Sequence, residues 1–195
     1  SFLVENRREI EQLHLKIDYH GYKTNQKQKY PAYLLSKLLK NYLLHELNST
    51  SEKINPYILD CDSFSSDSYG LLGLYTAIES QKLASFLKSF KNACERLCHQ
   101  KVSKKELNYL KNKAKADFEF VLEKTSLRAD FYSELFLYNN LTGNHQDEID
   151  NYLSCTASSI QKTAHNIFRQ EPKITILDKT LEKNEIKSLY SKIFD

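Results

Sequence analysis

Residues 43–50, "LLHELNST", set a histidine directly before a glutamate near the end of an apolar-periodic segment. Imidazole and carboxylate are the parts of a hydrolytic zinc site. Two histidines one helical turn apart grip the ion, and a glutamate between them takes a proton from the bound water. That chemistry needs the spacing H-x-x-E-H. His45 has Asn48 and Ser49 at +3 and +4; His14 has Ile17 and Asp18; His20 has Lys23 and Thr24. His99 is followed by Val102 and Ser103, and His165 by Phe168 and Arg169. His145 comes nearest: "HQDEI" offers Glu148 at +3 but Ile149 where the second ligand belongs, in a stretch that reads as a polar loop. Neighbouring helical residues point about 100° apart, so His45 and Glu46 cannot chelate one ion. They read as a solvated helix end, the imidazole lying near the negative end of the helix dipole. Cys94 and Cys98 share a helix face with His99 beside them, but zinc spacings call for a second ligand pair and none is close in sequence. Packing thiols and a surface imidazole are the ordinary reading. No metal ligand is expected in this chain.

The chain has 195 residues with a net charge of +3, 41% hydrophobic and 27% charged residues. That length fits one domain, 1–195, which buries enough surface to need no disulfide or metal staple. Four glycines and three prolines argue for long regular elements. The small charge and scattered lysines argue against nucleic-acid binding. Cys61, Cys94, Cys98 and Cys155 form no C-x-x-C repeat, so free thiols in a reducing, intracellular compartment are expected, cytoplasmic or mitochondrial matrix. No apolar run approaches the roughly 18 residues of a membrane span. "SFLVENRREI" lacks the apolar run of a signal peptide and is not expected to be one, and the absence of methionine suggests a processed product or a piece of a longer polypeptide.

The elements that must position any site follow from periodicity. "LHLKIDY", 13–19, alternates as a half-buried strand. "YPAYLLSKLLKNYLLHEL", 30–47, is a helix with Pro31 in its first turn and a wide leucine stripe. "YILDCDSF", 57–64, and "YGLLGLYTAI", 69–78, are strands joined by the polar turn "SSDS". Helices are predicted over 80–100 and over 102–124, the second opened by a capping box of Ser103 and Glu106. Others are predicted over 126–141, broken near Gly143, and over 156–170, capped by Thr156. "KITILD", 173–178, is a strand, and 182–194 a short amphipathic helix. Helical spacing assigns Phe86, Phe90, Phe118, Phe120, Phe131 and Phe136 to the core rather than to a ligand groove. The lysine run "KKELNYLKNKAK" reads as a solvated face. Few strands, drawn from both ends of the chain, predict an α+β two-layer sandwich, a mostly antiparallel sheet covered on one face by several helices.

This order of segments resembles one domain of the pitrilysin/insulinase-type metallopeptidases, which include the mitochondrial processing peptidase and the core proteins of the cytochrome bc complex. "EQLHLKIDYHGY", "YPAYLLSKLL", "NPYILDCDSFSSDSYGLLGLY", "VSKKELNYLKNKAKADF", "TASSIQKTAHNIF" and "KITIL" carry the resemblance, in order, over nearly the whole chain. The family builds a clamshell of paired homologous domains, and its active members place H-x-x-E-H on the first long helix. Here that helix offers "YLLSKLLK" and no ligand.

The resemblance therefore implies a non-catalytic half with no activity alone. It would close a chamber and bind an extended peptide with a zinc-bearing homologous domain or subunit, the zinc residing in that partner. Some relatives lend an Arg and a Tyr to the substrate carbonyl. Tyr57 stands at the Tyr position, against the plainer reading of a tyrosine anchoring the sheet rim. The Arg position falls near Thr50 or Ser51, neither a cation. Two rival readings follow: a core-protein-like scaffold of a respiratory or other assembly, and a helical adaptor if 13–19, 57–78 and 173–178 do not share one sheet.

Overall fold

A computed structural model describes residues 1–7, 9–50, 52–139 and 144–194. Five strands and seven helices run through them: β1 (Phe2–Asn6), β2 (Leu13–His20), α1 (Lys29–Ser49), β3 (Ile58–Ser65), β4 (Gly70–Ile78), α2 (Leu83–His99), α3 (Lys104–Glu123), α4 (Thr125–Asn139), α5 (His145–Ser154), α6 (Ala157–Phe168), β5 (Lys173–Asp178) and α7 (Lys183–Phe194). The strands form one sheet in the order β1-β5-β2-β4-β3. β1 runs parallel to β5, and every other pairing is antiparallel. The expected α+β two-layer sandwich is thus the observed one. The three stretches that had to share a sheet do so, which removes the helical-adaptor reading.

Alternation in β2 explains the layering. Leu13, Leu15 and Ile17 are fully buried against the helices, while Lys16 and His20 face out from the other side. The leucine stripe of α1 meets them: Leu34, Leu35, Leu38, Leu39 and Leu43 are all solvent-free. Each such side chain contributes about 1.5–3 kcal/mol by leaving water. Phe86 and Phe90 of α2 and Ile160, Ala164 and Ile167 of α6 complete this core.

Two elements lie where the sequence reading placed none. β1 is short and pairs with β5 from the far end of the chain. Ile174 donates its N–H to the Ser1 carbonyl (2.8 Å), and the Ser1 amine donates to the Pro172 carbonyl (2.9 Å). The expected polar loop at 145–149 is the start of helix α5. Asn144 and Asp147 form a reciprocal capping box, and Ile149 is buried beneath it. The break expected near Gly143, and the last two residues of the helix expected over 126–141, lie outside the described residues.

The capping box expected at Ser103 is half formed. The Ser103 hydroxyl accepts the Glu106 N–H (3.2 Å), but the Glu106 carboxylate accepts the Tyr42 hydroxyl instead (3.0 Å). Burial and this carboxylate push the Tyr42 hydroxyl up to about 12. The core assignment of the phenylalanines also needs correction. Phe86 and Phe90 are core, but Phe120 and Phe136 are 63% and 56% exposed. Phe118 and Phe131 are half-buried and meet edge to face at 5.0 Å. Beyond Ala114 the far end of α3 buries no side chain, and neither does α4 among the described residues, so helical periodicity there marks no core. Lys113–Asp117 and Lys115–Glu119 pairs line the solvated side of α3 as expected.

Candidate functional site

The residues that could have gripped a metal are scattered. His45 is largely exposed, its Nδ1 3.9 Å from the Glu46 carboxylate. His145 opens α5 and meets the Tyr132 hydroxyl at 3.2 Å. Glu148, at +3 from it, turns toward α1. Cys94 and Cys98 sit on the inner side of α2, and His99 meets His165 edge to face at 5.8 Å. His14 lies on the open face of the sheet, its Nδ1 2.7 Å from the Tyr75 hydroxyl. Among the described residues no group of three or more His, Cys, Asp or Glu side chains converges to hold an ion. All four cysteines are free and buried.

Tyr57 stands just before β3. Its N–H donates to the Ala77 carbonyl (2.9 Å), which fixes the backbone to β4, and its ring is 62% exposed. The ring is thus open to solvent, and the sequence puts Thr50 and Ser51, neither a cation, where the resemblance places an Arg. Thr50 caps the end of α1, its hydroxyl donating to the Leu47 carbonyl (3.0 Å), and Ser51 lies outside the described residues. β3 is the last strand of the sheet on its side. Its outer margin carries main-chain groups that β4 does not use. Cys61 points inward to the helices, whereas Ile58, Asp60, Asp62 and Phe64 are exposed.

Two lysines of α1 reach those aspartates. Lys37 Nζ lies 2.7 Å from Asp62 and Lys40 Nζ 3.1 Å from Asp60. α1 lies under the inner face and the aspartates alternate to the outer one. The lysine stems therefore pass around the free margin of β3. Burial pulls the Lys37 ammonium down, but its hydrogen bond and attraction to Asp62 outweigh this and leave it raised. The Lys40 hydrogen bond holds the Asp60 carboxyl below its ordinary range.

At the far end of β3 lies a cavity of about 280 Å³, walled by Tyr33, Phe64, Phe131 and Tyr152 and bordered by Glu134 and Glu148. Its back is a polar cluster. Glu148 accepts from the Tyr30 hydroxyl (2.9 Å) and lies 3.5 Å from Lys29 Nζ, and Asn151 donates to the same hydroxyl (3.2 Å). Burial and the adjacent carboxylate raise the Tyr30 hydroxyl far above its usual range. Tyr152 packs edge to face against both Tyr30 and Tyr33, at 5.1 and 5.3 Å. No local pattern in the sequence marks this cluster, because its members lie 118 to 121 residues apart. The one available signal was the polarity of Lys29-Tyr30 at the head of an otherwise apolar helix.

The family model of the peptidase M16 inactive domain matches residues 1–114. No curated protein matches the sequence. Among solved structures, a protease from Helicobacter pylori is similar with 19% identity and a TM-score of 0.77, over 90% of this chain and 43% of that one. Complex III2 from Candida albicans with Inz-5 bound is similar with 16% identity and a TM-score of 0.78, over 97% of this chain and 49% of that one. A conserved protein from Enterococcus faecalis is similar with 15% identity and a TM-score of 0.77, over 94% of this chain and 43% of that one. At these identities the three share its fold, and the chain spans less than half of each.

Proposed function

The chain belongs to the peptidase M16 inactive-domain family, and from that premise we propose that it closes a peptide-holding chamber against a zinc-bearing homologous domain or subunit. It is the non-catalytic type of M16 domain. The partner would supply the Lewis acid and the activated water. This chain would hold the substrate. An extended peptide adds to the free margin of β3 through main-chain hydrogen bonds, which suit any sequence. The cavity at the end of β3 receives one side chain. The Tyr57 hydroxyl donates to a substrate carbonyl oxygen and, without a neighbouring cation, acts as an orienting donor more than as a strong oxyanion stabiliser.

The observation that carries this reading is an edge strand with an exposed tyrosine at its start and an aromatic-walled cavity at its end. Reconstitution tests it. The chain alone should bind no stoichiometric zinc and cleave no peptide, and addition of a homologous half bearing H-x-x-E-H should give zinc-dependent cleavage. One tight zinc per chain in the isolated protein would overturn it.

A scaffold role, in which the domain supports a larger assembly and touches no substrate, is favoured by one feature, the lysine–aspartate pairs that straddle β3. Charged groups on an edge strand block added strands. Co-purification separates the two: a zinc-bearing partner supports the first, a cytochrome-containing complex the second.

A further inference from the structure

A second cavity, of about 300 Å³, opens between α2, α6 and α7 and shares no lining residue with the cavity at β3. Its size reaches the lower end of small-molecule sites. Two aromatic pairs form its walls. Tyr19 meets Phe168 edge to face at 5.4 Å, and Tyr190 stacks on Phe194 at 4.2 Å with their planes 13° apart. Cys94 and Cys98 of α2 line it too, only 7% and 9% exposed. Buried thiols behave as small apolar groups, so the interior suits a hydrocarbon body.

The charged groups lining it are unequal. Lys91 is already engaged: it donates to the Ile193 carbonyl at 2.6 Å, lies 3.8 Å from Glu95 and sits over the Phe194 ring. Glu95 is thereby answered. Arg169 also lines the cavity and makes no ion pair with a carboxylate among the described residues. Its guanidinium is a planar fork of donors suited to two oxygens. The His99 and His165 rings line it as well. The charge left over is positive.

We infer that this cavity binds a small carboxylate with an apolar body, a medium-chain acyl or aryl acid, its tail among the aromatic rings and thiols and its carboxylate on Arg169. An amine of the same length would meet Arg169 as a like charge, and an alcohol would leave the guanidinium unanswered. The inference does not depend on the peptide-holding role, since it uses none of the same residues.

Octanoate, octylamine and octanol are the probes, titrated calorimetrically into the protein. Octanoate is expected to bind at least tenfold more tightly than either of the others. Arg169→Glu should abolish that preference with no change in melting temperature, because Arg169 is exposed. Saturating octanoate should slow alkylation of Cys98 by iodoacetamide severalfold, read by peptide mass spectrometry, and leave Cys61 unaffected. Equal binding of the three probes, no binding, or unaltered Cys98 alkylation at saturation would each overturn the inference.

Discussion

Lys37 reaches from α1 around the free margin of β3 to place its ammonium 2.7 Å from Asp62 on the other side. Lys40 does the same to Asp60. The two clasps occupy the ground an incoming peptide strand would take. Each is solvent-exposed and contributes no more than about 1 kcal/mol. Removing both with Lys37→Ala and Lys40→Ala should tighten binding of a neutral extended peptide about fivefold, and added salt should produce part of the same gain in the parent protein. Fluorescence anisotropy with a labelled peptide measures it. Unchanged affinity in the double variant would place peptide binding away from β3.

Tyr57→Phe removes a hydroxyl and little else. In the reconstituted pair, kcat should fall about tenfold, less than the roughly 10²–10³ of a full oxyanion-hole donor because no cation accompanies the hydroxyl, with KM nearly constant. The melting temperature should hold, since the ring is 62% exposed. Unaltered kcat would return Tyr57 to a rim anchor.

Asp178, at the end of β5, is a carboxyl only 1% exposed. Burial alone would raise its pKa. The Ser80 hydroxyl and the N–H groups of Thr180, Leu181 and Lys179 outweigh burial and hold it below the ordinary range. A depressed folded-state pKa contributes stability that is fully present above the unfolded value, about 4, and is lost as pH falls through the folded value. Asp178→Ala should cost about 1–3 kcal/mol at pH 7, because the Ser80 hydroxyl and the main-chain donors lose their acceptor. Its stability should also decline less than the parent's between pH 5 and pH 2. Urea unfolding at a series of pH values tests both expectations.

Glu148 ties α5 to α1 through Tyr30 and Lys29. Glu148→Ala leaves the half-buried Tyr30 hydroxyl without its acceptor, at a cost of about 1–3 kcal/mol. Amide exchange should quicken across residues 145–154 and not across β2. Equal protection in the variant would show that Ile149 and Tyr152 hold α5 unaided.

Gly70 opens β4 where the chain passes under Tyr22. A Cβ there would stand 2.1 Å from the Tyr22 carbonyl oxygen, a backbone atom that cannot swing aside. Gly21 is tied to the same place, its N–H donating to the Gly70 carbonyl (2.8 Å). Gly70→Ala should destabilise by about 1–3 kcal/mol through overpacking. Calorimetry should record a melting temperature several degrees lower. A melting temperature equal to the parent's would mean that the turn relaxes freely.

Some elements were legible because their information is local. Alternation over 13–19 specified which face of β2 is buried, and the leucines of α1 named their own core stripe. The cap at Thr156 was readable from residue type, and it forms with Ser159 as its reciprocal partner. β1 was not readable, since a five-residue edge strand reveals itself only beside β5. α5 was missed because its polar first turn resembles a loop until Asn144 and Asp147 are seen to cap it. Phe120 and Phe136 misled because period alone says which side of a helix is apolar and not whether a core lies there.

By itself, the order of residues determined that no two imidazoles stand one turn apart with an acid between them, and that the elements suit an α+β sandwich. Both are properties of spacing along the chain. Only the tertiary structure decided that Lys37 and Lys40 clasp β3, that Glu148 meets Tyr30 across 118 residues, and that Arg169 and two aromatic pairs line one cavity. These contacts join groups from distant elements, and no local period encodes which surfaces packing will bring together.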